Sequence, residues 1–373
     1  MVSFKEYQSF LNLPESLDQL IGNKYFWNLN LLVDLEKSLS IGGNSGWDIK
    51  AICIFDEKEL VGFIPMFIKH HSYGEYVFDW SWAEAHQRLG LSYFPKLFIG
   101  IPFSPVNANK LIVKKPEFKD LALNYIEKLL VNANFSSIHY VFSGPDDELN
   151  ALLRNRGWAN RKTIQYVWVN QKYSNFDDFL KILRSEKRKK IKQDRKKVSS
   201  EKITFKTFTG KDINEEIILF FYKCYSMTYY QHGSPPYINK SFFESYFVKD
   251  SARVVIFVAF ENNIPIACSF SLQANNILYG RYWGAVKFIP SLHFELSYYQ
   301  GIQYCINNNL DKFYAGIQGE HKLSRGFNPE FSESFHFVKN PQFKNAIYDF
   351  VEREADLNEL YKKELNQRSS IKY

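Results

Sequence analysis

Ile54-Phe55-Asp56-Glu57, followed by Leu60-Val61-Gly62, has a counterpart in Ala259-Phe260-Glu261-Asn262 followed by Pro265-Ile266-Ala267, at an offset of 205 residues. Tyr73-Gly74-Glu75-Tyr76 matches Tyr279-Gly280-Arg281-Tyr282 at 206, and Tyr93-Phe94-Pro95-Lys96-Leu97 matches Tyr298-Tyr299-Gln300-Gly301-Ile302 at 205 again. Matches in one order, at nearly one offset, read as a duplicated fold rather than coincidence in a chain rich in Phe and Tyr. Each copy reads as a strand hairpin that leads into a helix through Tyr-Gly-x-Tyr.

Around these anchors, periodicity predicts a helix over 26–38 and strands over 50–55 and 60–68 paired through Asp56-Glu57-Lys58. A third strand is expected over 75–80. An amphipathic helix over 120–133 carries Leu121, Tyr125, Leu129 and Leu130 on one side. Then come a strand over 137–142, a helix over 146–156 and a strand over 163–169. In the second run, Ser174 or Asn175 caps one helix over 176–198. Helices are expected over 213–230, 241–247 and 293–308, and strands over 203–208, 254–260, 265–272, 277–283, 312–317 and 335–338. A charged helix over 341–365 closes the chain. Mixed antiparallel strands flanked by helices make this an α+β (mixed α/β) layout. The length of 373 residues favours two domains, placed at 1–165 and 166–373. Neither GxGxxG nor GxxxxGK[ST] is present, which excludes the nucleotide-binding sheets built on those loops.

Composition narrows the class. No run approaches the roughly 20 apolar residues that span a bilayer, and the first 20 residues lack the apolar core of a secretory signal. The four cysteines, at 53, 224, 268 and 305, form no CxxC pair. Buried free thiols in a reducing compartment, the cytoplasm, are therefore expected. HExxH spacing is absent and no metal is expected. The formal charge of +7 is concentrated: residues 181–197 hold ten Lys or Arg against two acids, Glu186 and Asp194. Like charges at i,i+4, such as Arg184/Arg188 and Arg188/Lys192, repel on a helix. A bound polyanion relieves that repulsion, which points to Lys187, Arg188, Lys190 and Arg195 as phosphate-binding residues.

The densest polar cluster is Gln318-Gly-Glu320-His321-Lys322-Leu-Ser324-Arg325-Gly-Phe327, directly after the strand expected over 312–317. A His beside a carboxylate offers a general base near neutral pH, so His321 or Glu320 is expected to take a proton. Gln318, Lys322 and Arg325 offer donors for phosphate or carboxylate. His293 and Glu295, at the start of the helix expected over 293–308, are expected to shape the same pocket, with Arg281 and Tyr282 on the strand before it. In the first half, Tyr73, Glu75, Asp79 and Trp80 alternate polar with aromatic. That alternation fits a strand with one ligand-facing side, and equally a half-buried edge strand.

His70-His-Ser-Tyr-Gly-Glu-Tyr-Val-Phe-Asp-Trp80, Tyr93-Phe-Pro-Lys-Leu97, Pro102-Phe-Ser-Pro-Val106, Leu292-His-Phe-Glu295 and Gln318-Gly-Glu-His-Lys322 with Arg325-Gly-Phe327 resemble the FemAB-like peptidoglycan biosynthesis/recognition family of N-acyltransferases. The resemblance runs from about residue 24 to 364. It implies two tandem GNAT-like domains, with the basic helix opening the second. It also implies no tightly bound cofactor, an amine acceptor on a peptidoglycan precursor that is itself lipid-linked, and aminoacyl-tRNA or acyl-CoA as donor. Arg188-Lys-Lys-Ile-Lys-Gln-Asp-Arg-Lys196 is similar to the Lys-Arg-x-x-Ile-Arg-Lys helix of Fem-type proteins, interrupted by Asp194. Arg325-Gly-Phe327 resembles their Lys-x-Gly-Phe element. The GNAT pyrophosphate loop, Arg/Gln-x-x-Gly-x-Gly/Ala, is missing from both halves, which weakens the acyl-CoA expectation.

Overall fold

A computed structural model describes residues 1–22 and 25–371. The chain forms two compact units. The first holds Met1–Thr163 and takes back Phe331–Glu359; the second holds Ile164–Glu330 and the chain from Leu360. One cut at 165/166 therefore does not describe the division, because a strand and most of the last helix return to the first unit.

In the first unit, Val2–Tyr7, Ala51–Asp56, Glu59–Ile64 and Ile112–Val113 form an antiparallel sheet. Trp47–Ile49, Met66–Lys69, Lys96–Ile99, Ser137–Tyr140 and residues 335–338 form a second. The strand expected over 60–68 is interrupted at Pro65, which has no N–H to give a ladder. Opposite it, Lys50 separates Trp47–Ile49 from Ala51–Asp56. Lys96–Ile99 and Ser137–Tyr140 run parallel, joined by the helix Glu117–Asn132. That helix buries Phe118, Ala122, Leu123, Ile126 and Leu130, at i, i+4 and i+8 spacings, against Ile54, Leu97 and Ile138. Leu121, expected on the inner side, is instead 39% exposed.

The second unit has the same plan. Ile203–Thr209, Val254–Glu261, Ile264–Ala274 and Ile277–Ala285 are antiparallel neighbours, and Ile277–Ala285 then pairs in parallel with Lys312–Tyr314. Residues 167–169 of the strand Ala159–Val169 pair with Lys312–Tyr314 from its other side.

The hairpin matches hold down to register. Phe55 faces Leu60 and Asp56 faces Glu59; Phe260 faces Pro265 and Glu261 faces Ile264. Both ladders shift by one residue at the same place, between Ile54 and Phe55 and between Ala259 and Phe260. The Tyr-Gly-x-Tyr matches do not hold. Residues 279–282 lie inside a strand, whereas 73–76 form a turn. In the parallel pairing, Lys96–Ile99 occupies the place of Ile277–Ala285. No strand forms over 75–80, because Gly74, Tyr76 and Phe78 take φ of 77°, 61° and 55°, outside the extended region. A helix, Trp80–Arg88, follows instead.

The helix expected over 176–198 is two. Phe176–Ile182 stops at Leu183 and Arg184, which are extended with ψ of 148° and 145°, and Ser185–Ser200 begins anew. Leu183 bridges to Ile371, and Arg184 N donates to Ser370 O at 2.8 Å. These bonds are incompatible with a continuous helical ladder. The helix near 293–308 is composite: Leu292–Phe294, a π-helical turn at Glu295–Tyr299, then Gln300–Asn307. Such π turns are rare and cluster at functional sites.

Candidate active site

The strand Lys312–Tyr314 is followed by a short loop and the 3₁₀ turn Glu320–Arg325. Gly319, at φ 102°, lets the chain enter that turn; a Cβ there would stand 2.4 Å from His321 Cε1. Only glycine leaves room for the imidazole where it is. His321 Nε2 shares a 2.8 Å hydrogen bond with Tyr298 Oη, on the π turn. The His293 ring packs 5.1 Å from Trp283, 5.5 Å from Tyr298 and 6.2 Å from His321, between centroids. Burial, then the Arg325 and Lys322 charges, holds His321 below the usual histidine range. Burial, then the neighbouring His321, Arg325 and Lys322, pushes His293 down to about 4. Both rings are therefore neutral at pH 7.

Lys322 is buried, its Nζ donating to Gln318 O and lying 5.4 Å from the Tyr166 ring centre. Burial pushes its amine down to about 8. The Gln318 side chain lies on an exposed residue. Arg325 is buried against Phe294, 3.4 Å from the ring centre, and donates to Asp194 Oδ2 at 2.9 Å and to His321 O at 2.7 Å. Glu295 is buried, and burial raises its carboxyl despite Arg195 at 3.1 Å and Gln300 at 2.8 Å.

Glu320 is turned away from this group. Its oxygens accept from Tyr361 Oη at 2.5 Å and Arg368 Nη2 at 2.8 Å, which lowers its pKa. So the structure brings His321, His293 and Tyr298 together and ties Glu320 to the C-terminal helix. Arg281 and Tyr282 lie on the strand Ile277–Ala285, the guanidinium 5.2 Å from the neighbouring ring centre.

On the helix Ser185–Ser200, Ile191, Asp194 and Val198 are buried at i, i+3 and i+7. Arg188, Lys189, Lys192 and Lys196, with Ser185 and Gln193, line an open hollow on its outer side. Lys190 is exposed, and Lys187 stands 3.1 Å from Glu186. Arg195 is turned inward to Glu295 and 4.6 Å from the Phe176 ring. Of the four expected phosphate ligands, Arg188 alone lines the hollow, and Arg195 is committed to a carboxylate. Lys189, Lys192 and Lys196 were legible as part of the charge run but not as its outer face.

The first-unit residues are arranged the reverse of a ligand-facing carboxylate row. Tyr73, Phe78 and Trp80 are exposed, whereas Glu75 and Asp79 are buried. Both carboxylates close on the buried Lys96, with Glu75 Oε2 at 2.7 Å and Ser72 Oγ at 2.9 Å. Tyr93 Oη donates to Asp79 at 2.5 Å, and His139 bonds Ser137 at 2.8 Å and His336 at 2.7 Å. Lys69 stands 3.8 Å from Glu75 and 3.6 Å from the Trp47 ring centre. Lys96 and Lys69 were the available signal: a lysine within an apolar strand stays charged only beside a partner.

Among the described residues, no helix is long and apolar enough to cross a membrane, and no cluster of metal-ligating side chains occurs. The sequence matches the FemAB-like family, described as peptidoglycan biosynthesis/recognition, over residues 13–373. No curated protein sequence matches the chain. Among solved structures, L-PGS from Bacillus licheniformis is similar at a TM-score of 0.52 and 10% identity, covering 88% of this chain and 98% of that one. FemX is similar at 0.48 and 11%, covering 82% and 91%. A tandem GNAT protein from the clavulanic acid biosynthesis pathway is similar at 0.48 and 9%, covering 91% and 99%.

Proposed function

We propose that this chain, which belongs to the FemAB-like family of peptidoglycan biosynthesis and recognition, is an N-acyltransferase that moves an aminoacyl group from its tRNA ester to a primary amine of a peptidoglycan precursor. The observation that carries this reading is the His321–Tyr298 pair on the turn after Lys312–Tyr314, beside neutral His293. Family membership supports the donor and acceptor classes, and the outer face of Ser185–Ser200 supports a polyphosphate-bearing donor.

In this reading, Tyr298 Oη accepts Nε2–H of His321, which leaves Nδ1 with its lone pair. The acceptor amine attacks the ester carbonyl, a C–N bond forms and the C–O bond to the ribose breaks. His321 takes the amine proton and returns it to the leaving oxygen. Arg188, Lys189, Lys192 and Lys196 hold donor phosphates. His293 and Glu295 border the amine, with Lys322 and Gln318 beside it. Glu320 has no part in proton transfer, since two donors already occupy its oxygens. Aminoacyl-tRNA as donor locates the reaction in the cytoplasm, and a lipid-linked acceptor would be met at the membrane surface.

The test is incubation of the full chain with aminoacyl-tRNA and a soluble muramoyl-pentapeptide precursor, read by mass spectrometry, beside a parallel reaction with acyl-CoA and a free-thiol assay. A product heavier by one aminoacyl residue, dependent on tRNA, supports the reading. Amine-dependent thiol release assigns the donor to CoA instead. No product with muropeptide binding retained makes the chain a recognition module and ends the transferase reading.

A further inference from the structure

The acid that interrupts the cationic helix carries the inference. Asp194 and Arg325 are 7% and 2% exposed, and a carboxylate this buried needs its oxygens occupied. Ser291 Oγ donates to Oδ1 at 3.0 Å, and Tyr299 Oη and Arg325 Nη2 donate to Oδ2, each at 2.9 Å. One side chain therefore ties the cationic helix to the residue before Leu292–Phe294, to the π turn and to the Glu320–Arg325 turn. Arg325 passes the tie on. Its Nη1 donates to the carbonyl of His321 at 2.7 Å and to Ser324 Oγ at 3.2 Å, while its plane lies on Phe294.

We propose that Asp194 is a positioning residue that acts through Arg325 to hold the Glu320–Arg325 turn, and with it the His321 imidazole, against Tyr298. The inference rests on the reading of His321 as the base. A buried ion pair is by itself weak evidence for stability, because desolvating two charges offsets their attraction. The geometry gives this pair a further role. A base has to be held to a fraction of an ångström, and the turn that bears His321 is exposed at Glu320 and His321 themselves. Its inner side, Lys322, Leu323 and Arg325, is what the fold grips.

The test uses Asp194→Asn, Arg325→Gln, the double variant and Arg325→Lys in the full chain. Asp194→Asn is expected to lower kcat about 10²-fold with little change in donor or acceptor KM, as a misplaced catalytic group does. If Asp194 acts through Arg325, the double variant is no worse than the worse single one, and Arg325→Lys recovers part of the loss. Multiplying effects, or a folded Asp194→Asn with wild-type kcat, overturn the proposal. A second readout needs no substrate: the His321 titration by NMR, assigned with His321→Gln. Loss of Asp194 releases Arg325, so the His321 pKa rises toward 6.5. A fall, or no change, shows Arg325 still in place and overturns the proposal even where no transfer is detected with either donor. If Asp194→Asn does not fold, Arg325→Lys decides by comparison with Arg325→Gln: no recovery of kcat in the lysine variant overturns it.

Discussion

Tyr298 Oη stands 2.8 Å from His321 Nε2, and the two residues come from different elements, a π turn and a 3₁₀ turn. That bond occupies Nε2 and, in the proposed reading, leaves Nδ1 to take the proton. His321→Ala is therefore expected to lower transfer by about 10²–10⁴-fold in a protein that still folds, because His321 lies on the exposed side of its turn. Full activity in a folded His321→Ala protein would falsify the assignment.

The pH dependence follows from the direction of the shift. His321 titrates below 6.5, so its neutral, proton-accepting form prevails above that pKa. Activity should rise about tenfold per pH unit on the acid side and level off before pH 7. A midpoint above 7 in the kcat/KM profile would contradict this.

Glu320→Gln removes an exposed acceptor of Tyr361 and Arg368. Transfer should stay within about threefold of wild type, against the loss in His321→Ala, since exposed pairs of this kind contribute little. A loss comparable with that of His321→Ala would return Glu320 to the mechanism.

Reversing Arg188, Lys192 and Lys196 to Glu should weaken donor use without unfolding the chain, because all three lie on the outer side of the helix. With a tRNA donor, the slope of log affinity against log salt should fall by roughly two for three lost phosphate contacts. An unchanged slope would remove this face from donor binding.

In the first unit, Lys96→Met leaves Glu75 and Asp79 buried without their shared cation and should cost about 3–5 kcal/mol, read by denaturant unfolding. Glu75 is raised by burial from 4.5 to about 7. The folded state thus binds its proton more tightly, and stability declines as pH rises from about 4.5 to 7. Glu75→Gln should abolish that decline. Asp79 is shifted the other way: burial opposes, but Lys96, His139 and Tyr93 outweigh it. Its contribution is present above 3.8 and is lost as pH falls below that value.

Much of the plan was legible. The hairpin pairs at 55–60 and 260–265 were readable because alternation and turn residues are local properties, and both kept the same ladder shift. The Tyr-Gly-x-Tyr comparison misled because one motif sits in a strand and the other in a turn where Gly74 and Tyr76 take positive φ. The Gln318–Phe327 cluster was readable as a polar turn after a strand from its density of functional groups. Which of them share it was not: Glu320 and His321 are neighbours in sequence and turn to different partners.

The sequence by itself determined the duplicated hairpins, the family and the place of the polar turn after a strand, since period, turn chemistry and motif are written within a few residues of one another. Only the tertiary structure decided the direction of the charges. Asp194 looked like an interruption of a cationic helix until Arg325, 131 residues away, closed on it, and Lys96 was one residue of a motif until Glu75 and Asp79 closed on it. The physical reason is that a charge leaves water only when its partner is already there, and a partner that distant is supplied by the fold.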